Sequence, residues 1–303
     1  MSVIRVTRGR KQRLRIEQAM STGRVCFIVP ALIRNDEAEA LLDATLGRIP
    51  GSIQTTVALV TQGRAPRLSA RPAIEIVARH HDAPLGKWGA IAQATELLPD
   101  IEAPVILLDA DDPTDCASIE QAVERCMSRP DALWIGRRDR IALRADDEIS
   151  ADSRLFWEAF SNALLLGLFP EPPVDLADAP DLQSGFMAVP LAALRGAPIG
   201  LAPNCGGELL LCRHLWSNGL ATCEIDYRTH ARTASTYRLK QITIDTMNLP
   251  FFRDLPLQQI GEAMRRGPRL YRRYFTDAQL KSYDGEIRAM VQLAGGAHTA
   301  DVQ

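Results

Sequence analysis

The chain has six cysteines, Cys26, Cys116, Cys126, Cys205, Cys212 and Cys223, and not one Cys-x-x-Cys pair. That spacing argues against a zinc or disulfide framework and reads as reduced, mostly buried thiols of a cytosolic protein. Charge of one sign is also lacking. The net charge is −2, so no global field points to nucleic acid. The local exception, Arg5 to Arg15, reads as a solvated N-terminal helix or tail. Long apolar runs are missing too. The most apolar stretch, Leu155 to Phe169, is broken by Glu158, Ser161 and Asn162, and a bilayer span needs about 20 apolar residues. The basic start is not followed by an apolar segment, so no signal peptide is expected. Neither an internal repeat nor a low-complexity block is visible. These absences favour a cytoplasmic protein and leave peripheral membrane contact open.

What is present is an α/β pattern. Hydrophobic residues make up 46% of 303, enough for one large domain with appendages. Apolar runs at Val25–Val29, Val57–Val60, Ala73–Ala78, Val105–Leu108 and Ala132–Ile135 predict five strands. Helical spacing at Asp36–Leu46, Gly86–Leu98 and Ile119–Met127 lies between them, with Pro30 ending the first strand and Pro99 the second helix. Strands and helices alternating in this way imply right-handed crossovers and a mostly parallel sheet. The second half differs. It offers a helix over Arg154–Leu168, a Pro- and Asp-rich loop over Pro170–Pro180, a strand over Gln183–Val189, a helix around Gly207–Asn218 and a strand over Ala221–Tyr227. From Leu239 onward the pattern is mainly helical, divided by Pro250, Pro256 and Pro268.

The most informative segment is Val105-Ile-Leu-Leu-Asp-Ala-Asp-Asp-Pro113. Four apolar residues of a buried parallel strand run into Asp109, Asp111 and Asp112. The carboxyl edge of an open α/β sheet is where ligands collect. Adjacent carboxylates such as Asp111 and Asp112 point to opposite sides of an extended strand, but at a turn carboxylates of such a cluster can converge on one hard cation. Magnesium is typically held by one or two carboxylates plus substrate phosphates. Asp111 is the first choice for the metal and Asp112 for capping the turn. Ordinary turn formation and helix capping are the competing reading of such an Asp cluster.

In order, the motifs resemble nucleotide-sugar glycosyltransferases of the GT-A fold, in the broad family-2-like group. Val29-Pro30-Ala31 looks like that group's first strand. Gly86-Lys87-Trp-Gly89-Ala90 looks like its Gly-Lys loop entering a helix, and Asp109-Ala110-Asp111 like its metal motif. The stretch from Arg154 through Asp181-Leu-Gln-Ser-Gly-Phe186 is similar to dolichyl-phosphate mannose synthases. The segment from Glu224 through His230-Ala-Arg232 is closer to mannosylglycerate and glucosyl-phosphoglycerate synthases. The resemblance covers roughly residues 24 to 240. It implies a GT-A (Rossmann-like) α/β domain over 24–240, behind a basic segment over 1–23 and ahead of a helical extension over 241–303.

It also implies roles. Gly86 admits an anion close to backbone N–H groups at a helix start, and Lys87 adds a point charge suited to phosphate. Pro30, Ala31, Gln62, Asp109, Ala110 and Arg232 (or Arg228) would line the donor site, with Asp109 at the ribose or metal. His230 would join Asp111 on Mg²⁺ or Mn²⁺. Asp181 and Glu208, with Gln183 between them in sequence, are the acceptor-side candidates, since an inverting transfer needs a general base in reach of the acceptor hydroxyl. The plain alternatives are a helix-dipole role for Glu208 and exposed positions for Lys87 and His230. His80 and His81 read as surface residues.

The chain also departs from the group. Its second strand ends in Thr61-Gln62-Gly63 where the group carries acidic residues, leaving the nucleobase open, with Gln62 as the substitute. The group's Asn-Glu after the first strand is displaced to Asn35-Asp-Glu37. No Gln-x-x-Arg-Trp sequence of processive synthases occurs. The expectation is therefore a metal-dependent transferase moving a sugar from a UDP- or GDP-sugar to a hydroxyl, carboxylate-bearing or phosphate acceptor, either small and soluble or a polyprenyl phosphate. A nucleotidyltransferase lacks support, because Val29 to Arg34 has no glycine. A non-catalytic sugar-nucleotide binder is the alternative from another class. Assembly as a homodimer is left open.

Overall fold

The computed structural model describes residues 23–51, 54–101, 103–111, 114–138, 161–162, 165–166, 181–202, 204 and 206–227, with 255, 256 and 259. Within them, β1 (Arg24–Ile33), α1 (Asp36–Gly47), β2 (Gln54–Gly63), β3 (Glu75–His81), α2 (Lys87–Leu97), β4 (Pro104–Leu107), α3 (Cys116–Ser128) and β5 (Leu133–Arg138) follow one another. Then come β6 (Met187–Pro190), α4 (Leu191–Gly196), α5 (Gly207–Ser217) and β7 (Thr222–Tyr227). Nearly all of the basic N-terminal segment and of the expected helical C-terminal extension, Asp112, the loop over Pro170–Pro180 and most of the helix expected over Arg154–Leu168 lie outside the described residues.

The strands form one sheet in the order β3-β2-β1-β4-β6-β5-β7. Neighbours are parallel except where β6 pairs, antiparallel to both β4 and β5. The sheet is thus mixed and mostly parallel, as the alternating pattern requires.

Period-two alternation divides the core into two layers. Cys26, Ile28, Ala58, Val60, Val105 and Leu107 face Trp88, Ile91 and Ala94 of α2 and Leu209, Leu211 and Leu215 of α5. Their neighbours Val25, Phe27, Val29, Val57, Leu59 and Ile106 face Leu42 and Leu46 of α1 and Ile119, Ala122 and Cys126 of α3. Because both faces of β1, β2 and β4 are covered, these strands read as continuous apolar runs.

Most elements differ from the sequence reading by a few residues at their ends, and the strand expected over Gln183–Val189 begins only at Met187, after a turn at Asp181–Ser184; three differences have a clear physical reason. β1 continues through Pro30 to Ile33. Ile28 directs its backbone toward β4, accepting from the Leu108 N–H at 3.0 Å, so Pro30, two residues on, faces the same side. There β4 has already ended, and a missing N–H costs no ladder bond. β3 is shifted from 73–78 to 75–81, because Ile74 closes a turn by donating to the Arg71 carbonyl at 3.1 Å. As an edge strand, β3 tolerates polar His80 and His81 where an apolar run was expected. Third, α3 begins at Cys116, ahead of the expected Ile119, and its cap is Asp115, whose carboxylate accepts from the Ser118 N–H at 2.8 Å.

Candidate active site

Parallel strands bring their carboxyl ends to one edge, and there Lys87, Asp109 and Glu208 meet. Asp109 follows β4. β6 runs the opposite way, so its entry rather than its exit lies at this edge, with Met187 opposite Leu107. That places Gly185 against Asp109. Gly185 has φ +80°, and a Cβ there would overlap the Asp109 carboxylate. Both the backbone angle and the close approach therefore require glycine. From the far side, α1 steadies the Asp109-Ala110-Asp111 loop. Thr45 donates to the Ala110 carbonyl at 3.4 Å, and Arg48 to the Thr114 carbonyl at 3.3 Å.

Lys87 is the first residue of α2, whose N-cap Gly86 supplies no side-chain bond. By contrast, Asn35 caps α1 with its side chain, accepting from the Ala38 N–H at 2.9 Å. The Asn35-Asp-Glu37 stretch is thus a helix start, with Asp36 and Glu37 in the first turn. At α2 the first-turn N–H groups have no side-chain cap, and the turn itself holds no acidic residue. Lys87 Nζ lies 2.8 Å from one Asp109 oxygen and 3.0 Å from the other. It lies 3.4 Å from Glu208 Oε1. Burial works against the ammonium, but Asp109 and then Glu208, the hydrogen bond to Asp109 and the Asp111 charge outweigh it, holding the Lys87 pKa above its ordinary value.

Glu208 is 8% exposed and sits in the first turn of α5, as expected of a residue opening a helix. Its second oxygen, Oε2, accepts from the Trp88 indole N–H at 2.7 Å. Gly207 makes this possible, since a Cβ there would run into the Trp88 ring. The site is therefore a chain of charges and donors: Asp109, Lys87, Glu208, Trp88.

The other expected residues differ in placement. Gln62, Ala31, Pro30 and Ala110 are buried at or near the same edge. Gln62 Oε1 accepts from the Leu85 N–H at 2.5 Å, tying the end of β2 to the loop that leads to Lys87. Asp181 is 2% exposed and begins the turn that delivers Gly185, its carbonyl accepting from the Ser184 N–H at 3.2 Å. Gln183 in that turn donates to Asn162 Oδ1 at 2.8 Å. Asp111 is exposed. Arg228, His230 and Arg232 lie outside the described residues, beginning just past β7, which ends at Tyr227. His80 is held by Thr61 at 3.0 Å and Asp82 at 3.3 Å, and His81 is only partly exposed.

Asp109 and Asp111 supply oxygen donors, the ligand type of Mg²⁺ and Mn²⁺. Among the described residues, no group of three or more His, Cys, Asp or Glu side chains stands ready to hold a metal. Two carboxylates are the number a hard cation takes when bound phosphates supply further ligands. Sequence reasoning missed Trp88 and Gly185 as parts of the site. The signal for Trp88 was an indole set between Lys87 and Gly89; for Gly185 it was a glycine just before a strand entering the site edge.

Searches against protein-family profiles and curated proteins find no match. Among solved structures, the fold is similar to glucosyl-3-phosphoglycerate synthase of M. tuberculosis, at 17% identity and TM-score 0.45 over 81% of this chain and 84% of that one. A structure of that synthase with Mn²⁺, UDP-glucose and glycerol 3-phosphate gives 15% identity and TM-score 0.47 over 86% and 87%. Another, with Mn²⁺, UDP and phosphoglyceric acid, gives 15% and 0.48 over 81% of each chain.

Proposed function

We propose that the protein is a metal-dependent glycosyltransferase that moves a sugar from a nucleotide-diphosphate sugar to an acceptor bearing a hydroxyl, carboxylate or phosphate. The observation that carries this reading is the meeting of Asp109 and Lys87 at the carboxyl edge of the sheet, where a carboxylate for a cation and an ammonium for a phosphate share one place. Asp111 binds Mg²⁺ or Mn²⁺, with His230 as a further ligand, and Asp109 meets the ribose or the same cation. The cation, when bound, neutralises charge developing on the departing diphosphate. Lys87 and the uncapped first turn of α2 hold the phosphates by charge and by backbone N–H groups. Arg232 or Arg228 adds a bidentate partner. Gln62 reads the nucleobase end. Asp181, buried in the turn that reaches the site, orients the acceptor hydroxyl and takes its proton in an inverting transfer.

The test is release of nucleoside diphosphate from a panel of UDP- and GDP-sugars with Mn²⁺, Mg²⁺ or chelator, first with water and then with acidic and phosphorylated acceptors. The expected result is metal-dependent turnover of one donor class. Metal-dependent binding without turnover of any donor would point instead to a non-catalytic sugar-nucleotide binder and overturn the assignment.

A further inference from the structure

We propose that Lys87 is a resident counter-charge that keeps a divalent cation from settling alone, and that it passes from Asp109 to the diphosphate when cation and nucleotide arrive together. This rests on the reading of Asp109 and Asp111 as the cation's carboxylates. Lys87 Nζ contacts both oxygens of Asp109, at 2.8 and 3.0 Å. A cation bound to that carboxylate would therefore sit beside a positive charge in a partly buried place, where screening is weak. Three carboxylates, Asp109, Glu208 and Asp111, act on this one ammonium.

The surroundings allow the ammonium to move. Lys87 is anchored at the start of a helix, but its head rides on a flexible four-carbon stem. Gly185 carries no side chain to crowd it; a Cβ there would press on Nζ at 3.0 Å. Glu208, in contrast, is fixed. Trp88 holds its Oε2 at 2.7 Å, and Gly207 seats the indole against the start of α5. Glu208 is thus a positioning residue that keeps Lys87 at the site mouth after Asp109 is given up. A diphosphate brings the negative charge that takes over the ammonium, and Asp109 is then released to the cation. Metal and nucleotide affinities are in this way coupled, and by linkage each must raise the other equally.

The test is Mn²⁺ titration of the full chain followed by electron paramagnetic resonance, which reads free Mn²⁺ directly, with and without UDP, GDP or inorganic pyrophosphate. Wild type should bind Mn²⁺ weakly alone and at least about tenfold more tightly with one of the diphosphates, as expected from removing one like charge. Lys87→Met should bind Mn²⁺ alone at least about tenfold more tightly than wild type, and the coupling should fall toward unity. Lys87→Gln, which keeps a donor to Asp109, serves if the Met variant does not fold. Unchanged or weaker affinity for Mn²⁺ alone in a folded variant, with diphosphate-dependent Mn²⁺ binding intact in wild type, overturns the counter-charge alone. No Mn²⁺ binding by any form, with or without diphosphate, overturns it together with the metal-site reading.

Discussion

At the scale of single residues, the site is a contest between one ammonium and several carboxylates. Asp109 and Glu208 hold Lys87 charged against the cost of burial. Its folded pKa lies above the unfolded one, so its contribution to stability is complete below the ordinary lysine value and is lost only as pH rises through the folded value. Between roughly pH 6 and 9, substitution of Lys87 should therefore change stability by a constant amount. Urea unfolding across that range checks this, and a steep slope appearing only in wild type would contradict it. Glu208→Ala leaves the buried Trp88 N–H without its acceptor, an expected cost of about 1–3 kcal/mol. Glu208→Gln keeps an acceptor for Trp88, so its loss should be smaller in the same measurement. The thiols divide by burial. Burial pushes Cys26 up to about 11 and Cys126 up to about 12, while Cys116 is exposed. Alkylation of the native protein near neutral pH, mapped by mass spectrometry, should label Cys116 and spare Cys26 and Cys126.

At the scale of elements, glycine and helix starts do the positioning. Gly207→Ala forces a methyl into the Trp88 ring, with an expected loss of roughly 1–3 kcal/mol on urea unfolding. It should also change Trp88 fluorescence; a spectrum and midpoint equal to wild type would contradict the packing described. The elements themselves were largely legible in the sequence. β1, β2 and β4 are buried on both faces, so their apolar runs announce them, and Gly86-Lys87 marks the start of α2. Edge strands gave weaker signals: β3, carrying His80 and His81, slipped by two residues at its start. The reversal of β6 was not legible, because a four-residue apolar strand reads the same in either direction. For the same reason the approach of Gly185 to Asp109, which depends on that reversal, was invisible. The indole bond to Glu208 links residues 88 and 208, which no local pattern connects.

At the scale of the whole molecule, the sheet arranges its parallel strands so that residues far apart in sequence share one edge. Asp109 comes from β4, Lys87 from α2, Gly185 from the approach to β6 and Glu208 from α5. A ligand bridging these elements binds the folded state alone and should raise apparent stability by mass action, by about 2.7 kcal/mol at a hundredfold excess over its dissociation constant. On the proposed function, this edge binds a nucleoside diphosphate through a cation on Asp111 and Asp109. The most direct measurement is calorimetric titration of UDP and GDP, with Mn²⁺ and with chelator, into wild type and Asp111→Ala. Binding of one of the two nucleotides should require Mn²⁺ and be lost in Asp111→Ala. Binding that is indifferent to Mn²⁺, or unchanged in that variant, would contradict it.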